Sequence, residues 1–196
     1  MKNSTRLIVG VSGASGALLA RRALEALAAA GVETHLVVSK SAEMTIAYEL
    51  GEKARDFAQL AARSYAASDV GAPISSGSFK TAGMLVVPCS VRTMSEIATG
   101  VTSSLLSRAA DVTLKERRPL VLMVRESPLH LGHLRTLTAL AEMGAIIAPP
   151  VPAFYAEPQS VDDVARQSVG RALDLFGLDC GFTRRWGEDL EKGRRP

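Results

Sequence analysis

The sequence predicts a single α/β domain, a Rossmann-like or flavodoxin-like three-layer α-β-α sandwich with a mostly parallel sheet. Three observations point there. Short β-branched runs alternate with longer Ala- and Leu-rich segments, opening as β-α-β-α. The first apolar run, RLIVGV, breaks into SGASG, after which an Ala/Leu stretch begins. Apolar residues make up 47% of the chain and aromatics only 5%, which suits helices packed on a Val/Leu/Ile sheet.

Each element has its own signal. Arg6–Val11 reads as a strand buried on both faces, because its apolar residues run on without alternation. A helix over 17–30 ends at Gly31. Glu33–Val38 is the second strand, and Ser39-Lys40-Ser41 leads into a helix over 42–50. Residues 51–67 carry mixed charge and read as helical or irregular, and the Gly/Ser-rich 68–82 as a loop. A third strand over 84–87 ends in Pro88-Cys89-Ser90, with helices over 93–98 and 103–115 interrupted by Gly100. Pro119 opens a fourth strand over 120–124. A helix over 131–143, capped by Gly144, leads to a short fifth strand over 145–148. Pro149, Pro150 and Pro152 forbid more helix there. The last helix, 161–175, takes Ser160 as N-cap and Asp162 and Asp163 in its first turn. The domain spans 1–177, and 178–196 reads as a polar tail, exposed apart from Trp186.

Composition narrows the function. The net charge is +3, with no basic run interleaved with stacking aromatics, which argues against nucleic acid. No stretch reaches the roughly 18 apolar residues of a membrane span. The apolar run near the start is too short for a signal peptide and breaks into a loop. Cys89 and Cys180 fit no metal or redox spacing and suit the reducing cytoplasm.

In parallel sheets, ligands sit beyond the carboxyl ends of the strands. The first such end admits two readings: a tight turn needing glycine, or a phosphate cradle with Ser15 at the helix's positive end. Ser39, and Ser90-Val91-Arg92-Thr93, repeat the pattern of hydroxyls at helix starts. Three such ends together favour a mononucleotide-sized ligand. No acidic residue closely follows the second strand, which counts against NAD. Arg125-Glu126, at the fourth strand end, is either a surface ion pair or a ligand-binding Arg beside a proton-transferring Glu. Arg108 and Lys115, seven apart, share a helix face that is either solvated or aimed at a second phosphate. Tyr155 is a core anchor or a cap on an anion, and Arg171 lies mid-helix. His130 and His133 lack further metal ligands and read as capping or packing residues.

The segments GVSGASGA, ETHLVVSKSA, LVVPCSVRT, SRAADVTLKERRPLVLMVRESPLHLGHL and GAIIAPPVPAFYAEPQSVDD resemble the UbiX flavin prenyltransferases. These sit within the homo-oligomeric flavin-containing cysteine decarboxylase superfamily. The resemblance covers residues 6–177. It implies transfer of the prenyl group of dimethylallyl phosphate to N5 and C6 of reduced FMN, without metal. The product would serve a UbiD-type decarboxylase. It further implies that Gly13, Ala14, Ser15, Ser39, Ser90, Val91, Arg92, Thr93 and Arg125 bind FMN, and that Tyr155, Arg171, Lys115 and Arg108 bind dimethylallyl phosphate. Glu49, Glu126, Lys115 and Ser15 would be catalytic, in sites built between the subunits of a dodecamer. Some members carry a Trp in the loop before the third strand, whereas 74–79 here reads ISSGSF. The segment after Glu49, LGEK, also departs from the Thr-Asp of many relatives. The alternatives are a non-catalytic FMN carrier or a flavin-dependent cysteine-type decarboxylase. The latter relies on a His near the first helix, which ALLARRALEALAAA lacks.

Overall fold

The computed structural model describes residues 5–188. Its elements are β1 (Arg6–Val11), α1 (Ala17–Ala29), β2 (Glu33–Val38), α2 (Lys40–Leu50), α3 (Ala54–Ala58), β3 (Arg63–Tyr65), β4 (Met84–Cys89), α4 (Val91–Thr99), α5 (Leu105–Lys115), β5 (Leu120–Val124), α6 (Leu131–Glu142), β6 (Ile146–Ile147) and α7 (Val161–Asp174). The strands form one sheet in the order β3-β2-β1-β4-β5-β6, with every pairing parallel. Alternate residues of each strand face opposite sides. Leu7, Val9, Leu85 and Val121 pack towards α1 and α7. Ile8, Met84, Val86 and Leu122 pack towards α4, α5 and α6. The expected three-layer sandwich is therefore present. No described helix is long and apolar enough to cross a membrane.

The structure departs from the sequence reading in places. Residues 51–67, read as helical or irregular, hold both α3 and a sixth strand, β3. That strand is only Arg63-Ser64-Tyr65, too short and polar for a period-2 signal. It docks on the open edge of β2, where Tyr65 Oη lies 2.8 Å from His35 Nδ1. β4 runs past Val87 to Cys89, and its register with β5 shifts between Val86 and Cys89, around Pro88, which has no N–H to donate. α4 starts at Val91, so Ser90 is its N-cap and Val91, Arg92 and Thr93 form its first turn. The described part of the C-terminal tail is not simply exposed. Thr183 is buried and Phe182 half-buried, whereas Trp186, expected to be shielded, is 75% exposed. Residues 189–196 of that tail lie outside the described residues.

His35 is a buried titratable group at the centre of β2, 2% exposed. Burial pushes its imidazole below the usual pKa. Glu33 opposes that shift, and Arg6 and Arg63 reinforce it. The folded state thus holds the ring neutral, while the unfolded chain takes up a proton near pH ~6.5. The stability this contributes is full above about pH 6.5 and is lost as pH falls through the lowered pKa. Urea unfolding at a series of pH values is expected to show this decline in the wild type and a flatter profile in His35→Gln.

Candidate active site

Chain connections from β1 and β4 leave on opposite faces of the sheet, so a crevice opens between their carboxyl ends. One hydroxyl spans it. Ser12 Oγ donates to the Pro88 carbonyl at 2.8 Å and accepts the Ser90 N–H at 2.7 Å, in a site only 1% exposed. A backbone bond from Ser12 N to Pro88 O, 3.2 Å, reinforces the contact. Arg125 N donates to Cys89 O at 3.1 Å, which ties the β5 loop to the same edge.

The first loop satisfies parts of both sequence readings. Gly16 is the N-cap of α1 with φ 118°, a conformation that only glycine adopts cheaply. Gly13 serves a different need: a Cβ there would lie 2.5 Å from Ser41 Cβ, so its backbone can approach the start of α2 only as glycine. Two of the amides at the α1 start, expected to cradle a phosphate, are already taken. Glu49 accepts Gly16 N at 3.0 Å and Ala17 N at 2.8 Å. α2 brings it there by running beside the loop, with Thr45 Oγ1 donating to Gly13 O at 3.4 Å and Glu52 paired to Arg21. Desolvation alone would raise the pKa of Glu49. Hydrogen bonds from the Ser15 hydroxyl and the Ala17 and Gly16 amides, with the charge of Arg125, outweigh it and hold the carboxyl below its usual range.

Two further helix starts meet the crevice. Ser39 caps α2 by accepting Ala42 N at 3.1 Å and lies 3.2 Å from the Ser41 hydroxyl. Ser90 caps α4 by accepting Thr93 N at 3.3 Å, and also bonds the Thr93 hydroxyl at 3.1 Å. The amides of Val91 and Arg92 have no acceptor among the described residues. The α4 start is therefore open to an anion at two amides, whereas Glu49 occupies the α1 start. Cys89 lies beneath it, fully buried, its thiol pushed up to about 12 by burial, so it is no nucleophile at neutral pH. Neither Arg125 nor Glu126 forms an ion pair among the described residues, so the surface-pair reading of this dipeptide does not hold. His130 caps α6, its Nδ1 accepting Gly132 N at 3.0 Å and His133 N at 3.3 Å, with the two imidazoles stacked.

The flavoprotein family model matches residues 1–173. The flavin prenyltransferase UbiX of Thauera aromatica is 53% identical over 95% of this chain and 96% of its own length. That of Escherichia coli K12 is 56% identical over 88% and 92%. The chain belongs to the UbiX flavin prenyltransferases, within the flavoprotein family. Among solved structures, AnUbiX (PadA1) in complex with FMN and dimethylallyl pyrophosphate superimposes with a TM-score of 0.92 at 49% identity, covering 94% of this chain and 98% of that one. A dodecameric FMN-dependent UbiX-like decarboxylase from Escherichia coli O157:H7 gives 0.91 at 50% identity, covering 93% and 99%.

The residues expected to hold the two substrates fall into two groups. The structure brings Gly13, Ala14, Ser15, Ser39, Glu49, Ser90, Val91, Arg92, Thr93 and Arg125 to one edge of the sheet. It does not bring Lys115 and Arg171 there. Lys115 ends α5, just before β5 begins, and so lies at the opposite, amino edge, bonded to Glu116 at 2.5 Å. Arg171 lies in the last turn of α7, whose end approaches Gly83 at the start of β4. α5 and α7 cover opposite faces, so Lys115 and Arg171 do not meet within one chain. Arg108 pairs with Asp111 along α5. Tyr155 sits in a 3-10 turn over Phe154–Ala156, against Trp186, which the sequence reading left out of the site.

Removing the Ser12 hydroxyl leaves the buried Ser90 N–H unpaired and the Pro88 carbonyl with only its backbone bond from Ser12 N. Ser12→Ala is expected to lower stability by about 1–3 kcal/mol and to weaken FMN binding about tenfold, measured by urea unfolding and flavin titration.

Proposed function

We propose that the chain joins the dimethylallyl group of dimethylallyl phosphate to N5 and C6 of reduced FMN, releasing phosphate. The observation that carries this is the presence, at one edge of the sheet, of an ionised carboxylate, Glu49, and of the α4 start, whose Val91 and Arg92 amides stay open beyond the Ser90 cap. An anionic flavin tail suits the second, and a proton-accepting group beside the flavin ring suits the first.

The residues present fit FMN. The Val91 and Arg92 amides, the Ser39, Ser90 and Thr93 hydroxyls and the Arg125 guanidinium offer donors to its phosphate and ring edge. Gly13, Ala14 and Ser15 form the small-residue loop at the same edge, against which the flavin would lie. When bound, the reduced flavin supplies N5 and C6 as nucleophilic atoms. The chain's own residues do the rest. Lys115, Arg171, Arg108 and the Tyr155 phenol stabilise the departing phosphate through fixed charge and hydrogen bonds. Glu49 is ionised at neutral pH and can accept the proton displaced when the ring closes, with Ser15 orienting it. Glu126, whose Oε1 accepts Ser127 N at 3.0 Å, is the second carboxylate at this edge.

Because Lys115 and Arg171 lie away from their own chain's crevice, neighbouring copies are proposed to complete it, as a dodecamer. Exposed apolar side chains on α2 (Met44, Tyr48) and α6 (Leu131, Leu134) support burial against other subunits. The prenylated flavin would pass to a UbiD-type decarboxylase. Two free thiols suit a cytoplasmic setting.

Incubation of the purified protein with reduced FMN and dimethylallyl phosphate is expected to add one prenyl unit to the flavin by mass spectrometry. No such gain, with the pyrophosphate tested as well, would overturn the reading in favour of a flavin carrier. Glu49→Gln is expected to cut kcat by about 100-fold or more while FMN stays bound.

A further inference from the structure

After α7 the chain folds back along that helix, and it does so through specific contacts. Gln167 is 5% exposed, yet both ends of its amide are used. Its Nε2 donates to Arg184 O at 2.9 Å and its Oε1 accepts Arg184 N at 2.9 Å. This pins the backbone of one residue in a single register. One turn further along α7, Gly170 leaves no room for a Cβ, which would strike the Thr183 hydroxyl. The returning segment therefore seats the Thr183 side chain directly on the helix at Gly170.

Three consecutive residues of this segment then reach three different targets. Arg184 Nη1 donates to Ala156 O at 2.8 Å, in the turn that carries Tyr155. Arg185 clasps Asp174 with Nη1 and Nη2, each at 2.9 Å. The same carboxylate accepts Arg171 Nη1 at 2.7 Å. Trp186 stands edge-on to the Tyr155 ring, with centroids 5.4 Å apart. Tyr155 otherwise follows a loop broken by three prolines, which has no regular structure of its own to aim a phenol.

We propose that Gln167 and Arg184 are positioning residues for the second substrate: through residues 178–186 they hold the Tyr155 phenol and the Arg171 guanidinium ready for an allylic phosphate. The identity of that phosphate rests on the prenyl-transfer reading. The physical gain is preorganisation. A phenol and a guanidinium fixed before binding lose less freedom when the anion arrives, and a phosphate held in one place leaves its allylic carbon in one place. Neither Gln167 nor Arg184 need touch the substrate.

The chain's single tryptophan is Trp186, so its emission reports on this segment directly. Dimethylallyl phosphate titrated into the intact assembly should give a saturable change in that emission. In Arg184→Ala the midpoint and KM should rise about tenfold, with kcat within about twofold and FMN affinity unchanged. Arg184→Lys, which can still reach the Ala156 carbonyl, should recover most of the loss. Gln167→Glu, which keeps the acceptor but loses the donor, should shift KM in the same direction and serves if Arg184→Ala does not fold. A wild-type midpoint and KM in the variants would overturn the proposal. So would an equal fall in FMN affinity and kcat without rescue, or no Trp186 response in the wild type. A wild type that shows the Trp186 response but transfers no prenyl group would sink the functional reading and leave the positioning role standing. Prenyl transfer with unaltered variants would do the reverse.

Discussion

The crevice depends on one buried hydroxyl. Where the strand order reverses between β1 and β4, two loops must leave for opposite faces and yet stay in fixed relation. Ser12 Oγ achieves this by accepting Ser90 N–H and donating to Pro88 O. The helices that start there carry positive ends towards the same space. α1 is neutralised within the chain by Glu49, and α4 is left open beyond its Ser90 cap. The same edge thus offers a fixed negative group and a helix start open to a negative ligand. Neither role would survive if the two loops drifted apart.

Much of this was legible in the residues. Uninterrupted β-branched runs and Ala/Leu helices specified a parallel sheet with crossovers, and Ser39, Ser90 and Ser160 marked helix starts that the structure keeps. The glycines of the first loop were legible as special, but the recipient of its amides was not. Glu49 lies over thirty residues away, and nothing local states that α2 runs alongside α1. β3 escaped notice because three polar residues carry no periodicity; the strand forms because β2 presents an open edge and His35 a partner for Tyr65. The tail was misread for a similar reason. Its order comes from Gln167 and Asp174 on α7, and its own composition is polar.

The second set of cations shows what a single chain leaves undone. Seven-residue spacing put Arg108 and Lys115 on one helix face, and both lie on α5, but the spacing said nothing of which edge of the sheet Lys115 would reach. α5 runs from the carboxyl edge towards the start of β5, and α7 ends beside the start of β4. Lys115 and Arg171 are therefore separated by the sheet itself. On the proposed reading, cations spread over opposite faces serve one anion only when copies of the chain abut, which would make assembly a condition of chemistry.

That condition is open to a direct measurement. Subunits carrying Glu49→Gln and subunits carrying Lys115→Ala, each inactive in its own assembly, can be mixed, dissociated and reassembled. If the two residues serve one site from different chains, about one site in four of a random mixture regains both and prenyl transfer reappears. A mixture as inactive as its parents, with mixed assemblies verified by mass, would contradict the account.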